Sequence, residues 1–210
     1  MENEQVVDPY VSEAKFHKEL LQFQSIADTF YKERGIFLEN ASFPRVIFSF
    51  FTTKLVRAIH VFTVQIDFTN YDLQPPSIVF VDPESKKSIK IEQLQTRMMR
   101  KILTAESSKE KIPLIPLIMA QKFDHKPFVC IPGVREYHQH PSHTNDPWVV
   151  HRGSGEGTLG FLLDQLYEYG TNAIIGYSSK DFATLNFKPG MVTVKINELP
   201  WTYDLNQIPL

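Results

Sequence analysis

The chain has 210 residues, 42% of them hydrophobic, which is enough for one well-packed domain, and 16 Phe and 8 Tyr point to an aromatic core. A net charge of −2 and a pI near 6.4 exclude a broad electrostatic attraction to nucleic acid, and no stretch approaches the ~20 apolar residues of a membrane span. The single cysteine excludes an internal disulfide framework and fits a reducing compartment; with an acidic, polar start unlike a signal peptide, the expected location is the cytoplasm.

Residues 1–8 are expected to be disordered. Asp8 reads as an N-cap, with Pro9 at the first helical position. Val11, Phe16, Leu20, Phe23, Ala27 and Phe30 then recur at helical spacing, which predicts a helix to about Arg34, closed by Gly35. From Arg45 the period changes. Arg45–Thr52 is an aromatic and β-branched run, and Arg57–Thr69 alternates with Phe62, Val64, Ile66 and Phe68 on one face, the pattern of a half-buried strand. Pro75-Pro76 breaks the pattern, because proline cannot donate to a sheet ladder, and Ser77–Val81 follows as a third strand. A helix followed by three closely spaced strands predicts an α+β layer, with the helix on an antiparallel meander.

Beyond it, Ile91–Ile102 reads as a helix with Leu94, Met98 and Ile102 on one side. The apolar run at 112–120, punctuated by Pro113 and Pro116, reads as buried irregular chain or an edge segment. Thr158 is an expected N-cap for a helix carrying Leu159, Leu162, Leu163 and Leu166, stopped by Gly170. Residues 172–177 suggest a short strand, Met191–Asn197 a hairpin or edge strand, and the end a packed tail. The run at 153–157 lacks the lysine of a phosphate-binding loop and reads as a flexible entry to the helix.

Chemistry is concentrated at 123–152, which holds Cys130 and five of the seven histidines: His125, His138, His140, His143 and His151. Glu136, Asp146 and Trp148 lie there too. Thiolate, imidazole and carboxylate are the ligands zinc takes, so Cys130, Glu136, His138 and His143 form a candidate metal set. In an extended chain Glu136, His138 and His140 would face one side. The competing reading makes Cys130 a nucleophile. Pro127 and Pro132-Gly133 suggest a loop around it, and a neighbouring imidazole raises thiolate content or deprotonates an incoming amine. A third reading, an inert core cysteine, is the commonest role of a lone cysteine.

The order of these parts resembles a ubiquitin-conjugating enzyme. The parts that carry the resemblance are the helix at 9–34, the strands across 45–81, Pro75-Pro76, Cys130, Trp148 and Thr158-Leu159. The segment from Pro127 to Trp148 is similar to bacterial proteins described as predicted metal-binding domains with a Cys-Glu-His-His signature, found in operons with ubiquitin-like proteins. The resemblance implies a single conjugating-enzyme-like domain over 1–210, with an insertion at 84–122 and a C-terminal extension at 171–210. It implies that Cys130 takes a ubiquitin-like protein from an activating enzyme as a thioester and passes it to an amine of a protein substrate. Its setting would be an antiphage conjugation pathway. Glu136, His138 and His143 would serve as base, oxyanion donor or cysteine orienter, with His140 and Asp146 as second choices. No cofactor is required and no nucleic acid or membrane is engaged; a zinc module without acyl transfer is the alternative. The chain departs from the family at Phe123–Pro127, where conjugating enzymes carry His-Pro-Asn, so the oxyanion role of that Asn has no assigned residue.

Overall fold

The computed structural model describes residues 6–102, 113–120, 126–177 and 200–210, together with the backbone at 183–188 and 191–196. Most of the expected disordered start, residues 1–5, lies outside these.

Helix α1 (Pro9–Ile26) starts where the sequence places it: the Asp8 carboxylate accepts from the Tyr10 N–H and Pro9 needs no donor. Its buried face is Ser12, Phe16, Glu19 and Phe23. Of the apolar stripe expected from Val11 to Phe30, Phe16 and Phe23 are buried and Leu20 and Ala27 pack against the core, while its ends stay open, with Val11 46% and Phe30 36% exposed. Glu19 is drawn inward by polar partners, accepting from the Leu159 N–H and the Tyr71 hydroxyl. At Ala27–Tyr31 the helix widens into a π turn, which inserts a residue's worth of rotation and buries Tyr31 in place of Phe30. Tyr31 then stacks on Phe23.

The meander has four antiparallel strands in the order β1 (Ile36–Ser42), β2 (Arg45–Phe51), β3 (His60–Asp67) and β4 (Ser77–Val81). Strand β1 is the one the sequence did not signal. Its burial alternates irregularly and a register shift falls between Leu38 and Asn40, so no clean period marks it. The helix-facing layer of the sheet is fully buried: Phe48, Phe50, Val64, Ile66, Phe68 and Phe80 join Phe16 and Phe23. Strand β3 was expected to be half-buried, but its second face is covered as well, with Val61 at 6% and Thr63 at 1% exposure. That face tolerates burial because its polar groups pair across the register, Ser49 with Thr63 and Arg45 with Asp67.

The helix expected at Ile91–Ile102 does not form. Only a 3₁₀ turn at Ile91–Gln93 is present, and the chain then extends into β5 (Met99–Lys101). Met98 is buried, and its carbonyl accepts from Leu117 rather than from a residue one helical turn on. The apolar run at 112–120 supplies the partners as two short strands, β6 (Leu114–Pro116) against β5 and β7 (Ile118–Ala120) against β8 (Pro127–Val129). Short two-stranded pairings form where buried irregular chain or an edge segment was expected.

Three short helices follow: α2 (Arg135–Gln139), a 3₁₀ turn at Pro141–His143, and α3 (Trp148–His151). Then comes α4 (Leu159–Gly170), capped by the Thr158 hydroxyl, with Leu159, Leu162, Leu163 and Leu166 in the core as predicted. Strand β9 (Ile174–Tyr177) pairs with β12 (Trp201–Tyr203), while β10 (Ala183–Lys188) and β11 (Met191–Ile196) form the terminal hairpin. No helix among the described residues is long and apolar enough to cross a membrane.

Candidate functional site

Cys130 follows β8 directly and is half-buried. Its N–H donates to the Leu117 carbonyl at 2.7 Å, which holds it to β7 and, through Leu117 and Met98, to β5. The chain then turns through Ile131–Gly133 into α2. Gly133 makes this turn at φ +85°, and a β-carbon there would lie 2.5 Å from the Gly157 nitrogen, so glycine is required twice over. Gly157 in turn packs on the Trp148 ring.

The thiol sulfur lies 3.3 Å from Nε2 of His143, delivered by the 3₁₀ turn at Pro141–His143. Burial pushes the Cys130 thiol up, and the Arg100 guanidinium opposes that shift. Burial lowers the pKa of His143, and the neighbouring His140 lowers it further. Both shifts favour the uncharged forms, a thiol beside an imidazole whose Nε2 is placed to accept its proton.

Glu136 and His138 are placed differently. Because 135–139 is helical, alternate residues do not share a face, and the extended geometry that would gather Glu136, His138 and His140 does not arise. The Glu136 carboxylate accepts from the Ser77 hydroxyl and the Ile78 N–H of β4, and desolvation raises its pKa. It fastens α2 to the sheet. His138 donates from Nδ1 to the Asp146 carbonyl at 2.8 Å and accepts the Gly133 N–H on Nε2 at 3.3 Å, so both ring nitrogens are engaged. It staples the cysteine turn to the Asp146 turn. Among the described residues no group of three or more His, Cys, Asp or Glu side chains is placed to hold a metal ion. His125 lies outside those residues.

A second chain of contacts underlies His143. Its imidazole stacks on Tyr137 with centroids 3.9 Å apart and planes at 22°. The Tyr137 hydroxyl donates to Asp146 Oδ2 at 2.7 Å; burial and that acidic partner push its pKa up to about 12. The other Asp146 oxygen bonds His151 Nε2, and His151 Nδ1 bonds Glu156. His151 is held above the usual imidazole range, first by its hydrogen bond to Asp146 and then by Glu156, and Asp146 is depressed by the same contact. Arg135 anchors the underside: its Nε donates to the Pro75 carbonyl, its Nη2 to the Thr69 carbonyl, and its backbone N–H to the Pro76 carbonyl. Trp148 Nε1 donates to the Asp72 carbonyl.

Sequence reasoning thus put Cys130 and His143 together, and it named Asp146 as a second choice. It passed over Tyr137, Arg135, Glu156 and Arg100. The Glu-Tyr-His run around Tyr137 was legible only as a histidine pattern, and Arg100 sat in a segment read as a helix far from the thiol. Of the Phe123–Pro127 segment, only Lys126 and Pro127 fall among the described residues.

A sequence model of the Y4jH-like family, described as the Y4jH family, matches residues 7–174. An uncharacterized protein y4jH of Sinorhizobium fredii is 42% identical over 176 residues, covering 80% of this chain and 85% of that one. The matched region contains α1, the whole meander and every residue of the cysteine site.

Proposed function

The chain belongs to the Y4jH-like family, and on the geometry of its one thiol we propose that it is a cysteine acyl carrier of the ubiquitin-conjugating type. The observation that carries this reading is the Cys130 sulfur at 3.3 Å from His143 Nε2, an imidazole whose pKa burial lowers. In the first transfer, the Cys130 thiol proton passes to His143 Nε2 and the sulfur attacks the thioester carbonyl held by an activating enzyme. The activating enzyme's thiolate leaves and takes up the proton. In the second, an amine of the target attacks the Cys130 thioester, His143 accepts the amine proton, and the Cys130 thiolate departs.

The oxyanion partner is not the loop backbone. The Ile131 N–H bonds Val129, the Gly133 N–H bonds His138, the Val134 N–H bonds Ile131, and Pro132 has none. His140 is better suited. Its Nδ1 accepts from the Ser142 N–H, which leaves the proton on Nε2, and its ring lies 5.7 Å from that of His143. Glu136 and His138 act in this reading as supports for the turn. Cytoplasmic action on a protein substrate in a bacterial antiphage pathway belongs to the same proposal.

The test is reconstituted charging with a ubiquitin-like protein and activating enzyme from the same operon. We expect a thiol-sensitive adduct that disappears in Cys130→Ala and is slowed in His143→Gln. No adduct, or one that persists in Cys130→Ala, overturns the proposal. One equivalent of zinc in protein purified without added metal, lost in Cys130→Ser, would replace it with the metal module.

A further inference from the structure

Tyr137 stands in an unusual relation to the thiol pair. A catalytic imidazole is ordinarily oriented by a third group that hydrogen-bonds its far nitrogen. Among the described residues, the one side-chain hydrogen bond of His143 is that to Cys130, and nothing bonds its Nδ1. What holds the ring is the face of Tyr137, at 3.9 Å and 22°. Tyr137 is itself fixed at both ends. Its backbone is in α2, which Arg135 and Glu136 fasten to Thr69, the Pro75-Pro76 carbonyls and β4. Its hydroxyl is held by Asp146, and Asp146 is held by His151.

We propose that Tyr137 is the positioning residue of the Cys130–His143 pair, substituting a stacked and tethered ring for the hydrogen-bonded carboxylate that usually orients a catalytic histidine. The inference rests on the reading of His143 as the base for Cys130. Two features separate it from ordinary packing. The tyrosine packs against the core from its edge and is only half-buried, so its ring is not a keystone of that core. Its hydroxyl has a partner on the same loop that carries His143, and the His143 carbonyl accepts the Asp146 N–H. Ring, tether and base therefore move together. Freed from the tether, the Tyr137 ring can rotate, and the imidazole above it loses its fixed approach to the sulfur. Proximity alone does not make a base, because proton transfer needs the lone pair aimed at the S–H.

Cys130 is the only cysteine, so its alkylation by iodoacetamide, followed across pH, reads the pair without any conjugation partner. Tyr137→Phe keeps the stack and removes the tether. It should slow alkylation at neutral pH by about fivefold to tenfold, a fraction of the ~10²–10⁴-fold a positioned base supplies. Asp146→Asn leaves both rings in place and should weaken the same tether, so it carries the test if Tyr137→Phe melts early. Tyr137→Leu, which removes the stack as well, should lose at least as much. His143→Gln should lose most and shift the rate profile to higher pH. On the His143→Gln background Tyr137→Phe should add nothing. An equal loss in both backgrounds, or no loss from Tyr137→Phe and Asp146→Asn, overturns the positioning role while leaving His143 as base. If His143→Gln alone leaves the profile unchanged, the base reading falls and the proposal falls with it.

Discussion

At the scale of single residues, the site separates groups that touch the thiol from groups that hold the loop. Cys130 and His143 meet at 3.3 Å; Glu136 and His138 have spent their polar atoms on β4, Gly133 and Asp146. The candidates were legible as types, because thiol, carboxylate and imidazole within one loop stand out in any sequence. Their roles were not legible, since these depended on whether 135–139 was extended or helical. The Asp146–His151–Glu156 tether gives a pH test. The folded pKa of Asp146 is depressed, so its contribution is present above its unfolded value of ~3.9 and fades as pH falls through the lower folded value. The folded pKa of His151 is raised, so its contribution is complete below ~6.5 and is lost as pH rises through the higher folded value. The stability gap between wild type and His151→Ala, measured by urea unfolding, should therefore be widest between those limits and close on either side. The side chains are partly exposed, so solvent screening keeps the gap to about 1 kcal/mol or less. A gap that persists unchanged into alkaline solution would mean that the charge on His151 does not support the loop.

At the scale of elements, the segments that carry their own caps, alternation or breaks formed as expected, and the helix read over 91–102 did not. Helix α4 carries its own signals: a Thr158 cap, four leucines on one face, and Gly170 at its end. Strands β2, β3 and β4 are marked by alternation and by the Pro75-Pro76 break. Segment 91–102 misled because Leu94, Met98 and Ile102 are spaced for a helix, whereas the hydrogen bonds that decide its state come from Leu117 and Pro113. The same dependence on distant chain governs the cysteine turn. Gly133 has φ +85° and its β-carbon would meet the Gly157 nitrogen at 2.5 Å; Gly153 has φ +89° and open space. Both alanine variants should bear the backbone strain, of order 1–3 kcal/mol. Gly133→Ala should lose measurably more stability than Gly153→Ala in parallel denaturation curves, because it must also part the two loops. Equal losses would show that the Gly133–Gly157 contact yields easily.

At the scale of the whole molecule, the segments expected as an insertion and an extension supply part of the core. Met98 and Leu117 from the first, and Ile174 and Trp201 from the second, belong to the same cluster as the meander phenylalanines. Trp201 is 8% exposed and donates from Nε1 to the Gln95 carbonyl, which closes the tail over the 91–98 segment. Trp201→Ala should lower stability by about 3 kcal/mol or more and shift a single cooperative melt. A separate early transition with the main one unmoved would make the tail an independent appendage. The sequence by itself determined the first helix and its cap, the strand-rich meander, the leucine face of α4, and the loop that concentrates thiol and imidazole. Each of these is written in local periodicity, capping chemistry or composition. The tertiary structure alone decided that β1 would extend the sheet, that 91–102 would pair as strand, and that both faces of β3 would be covered. It also decided that, of the four predicted site residues, Cys130 and His143 would meet while Glu136 and His138 turned to anchoring. Those outcomes rest on hydrogen-bond partners and packing surfaces supplied by other elements, which the spacing within one segment does not encode.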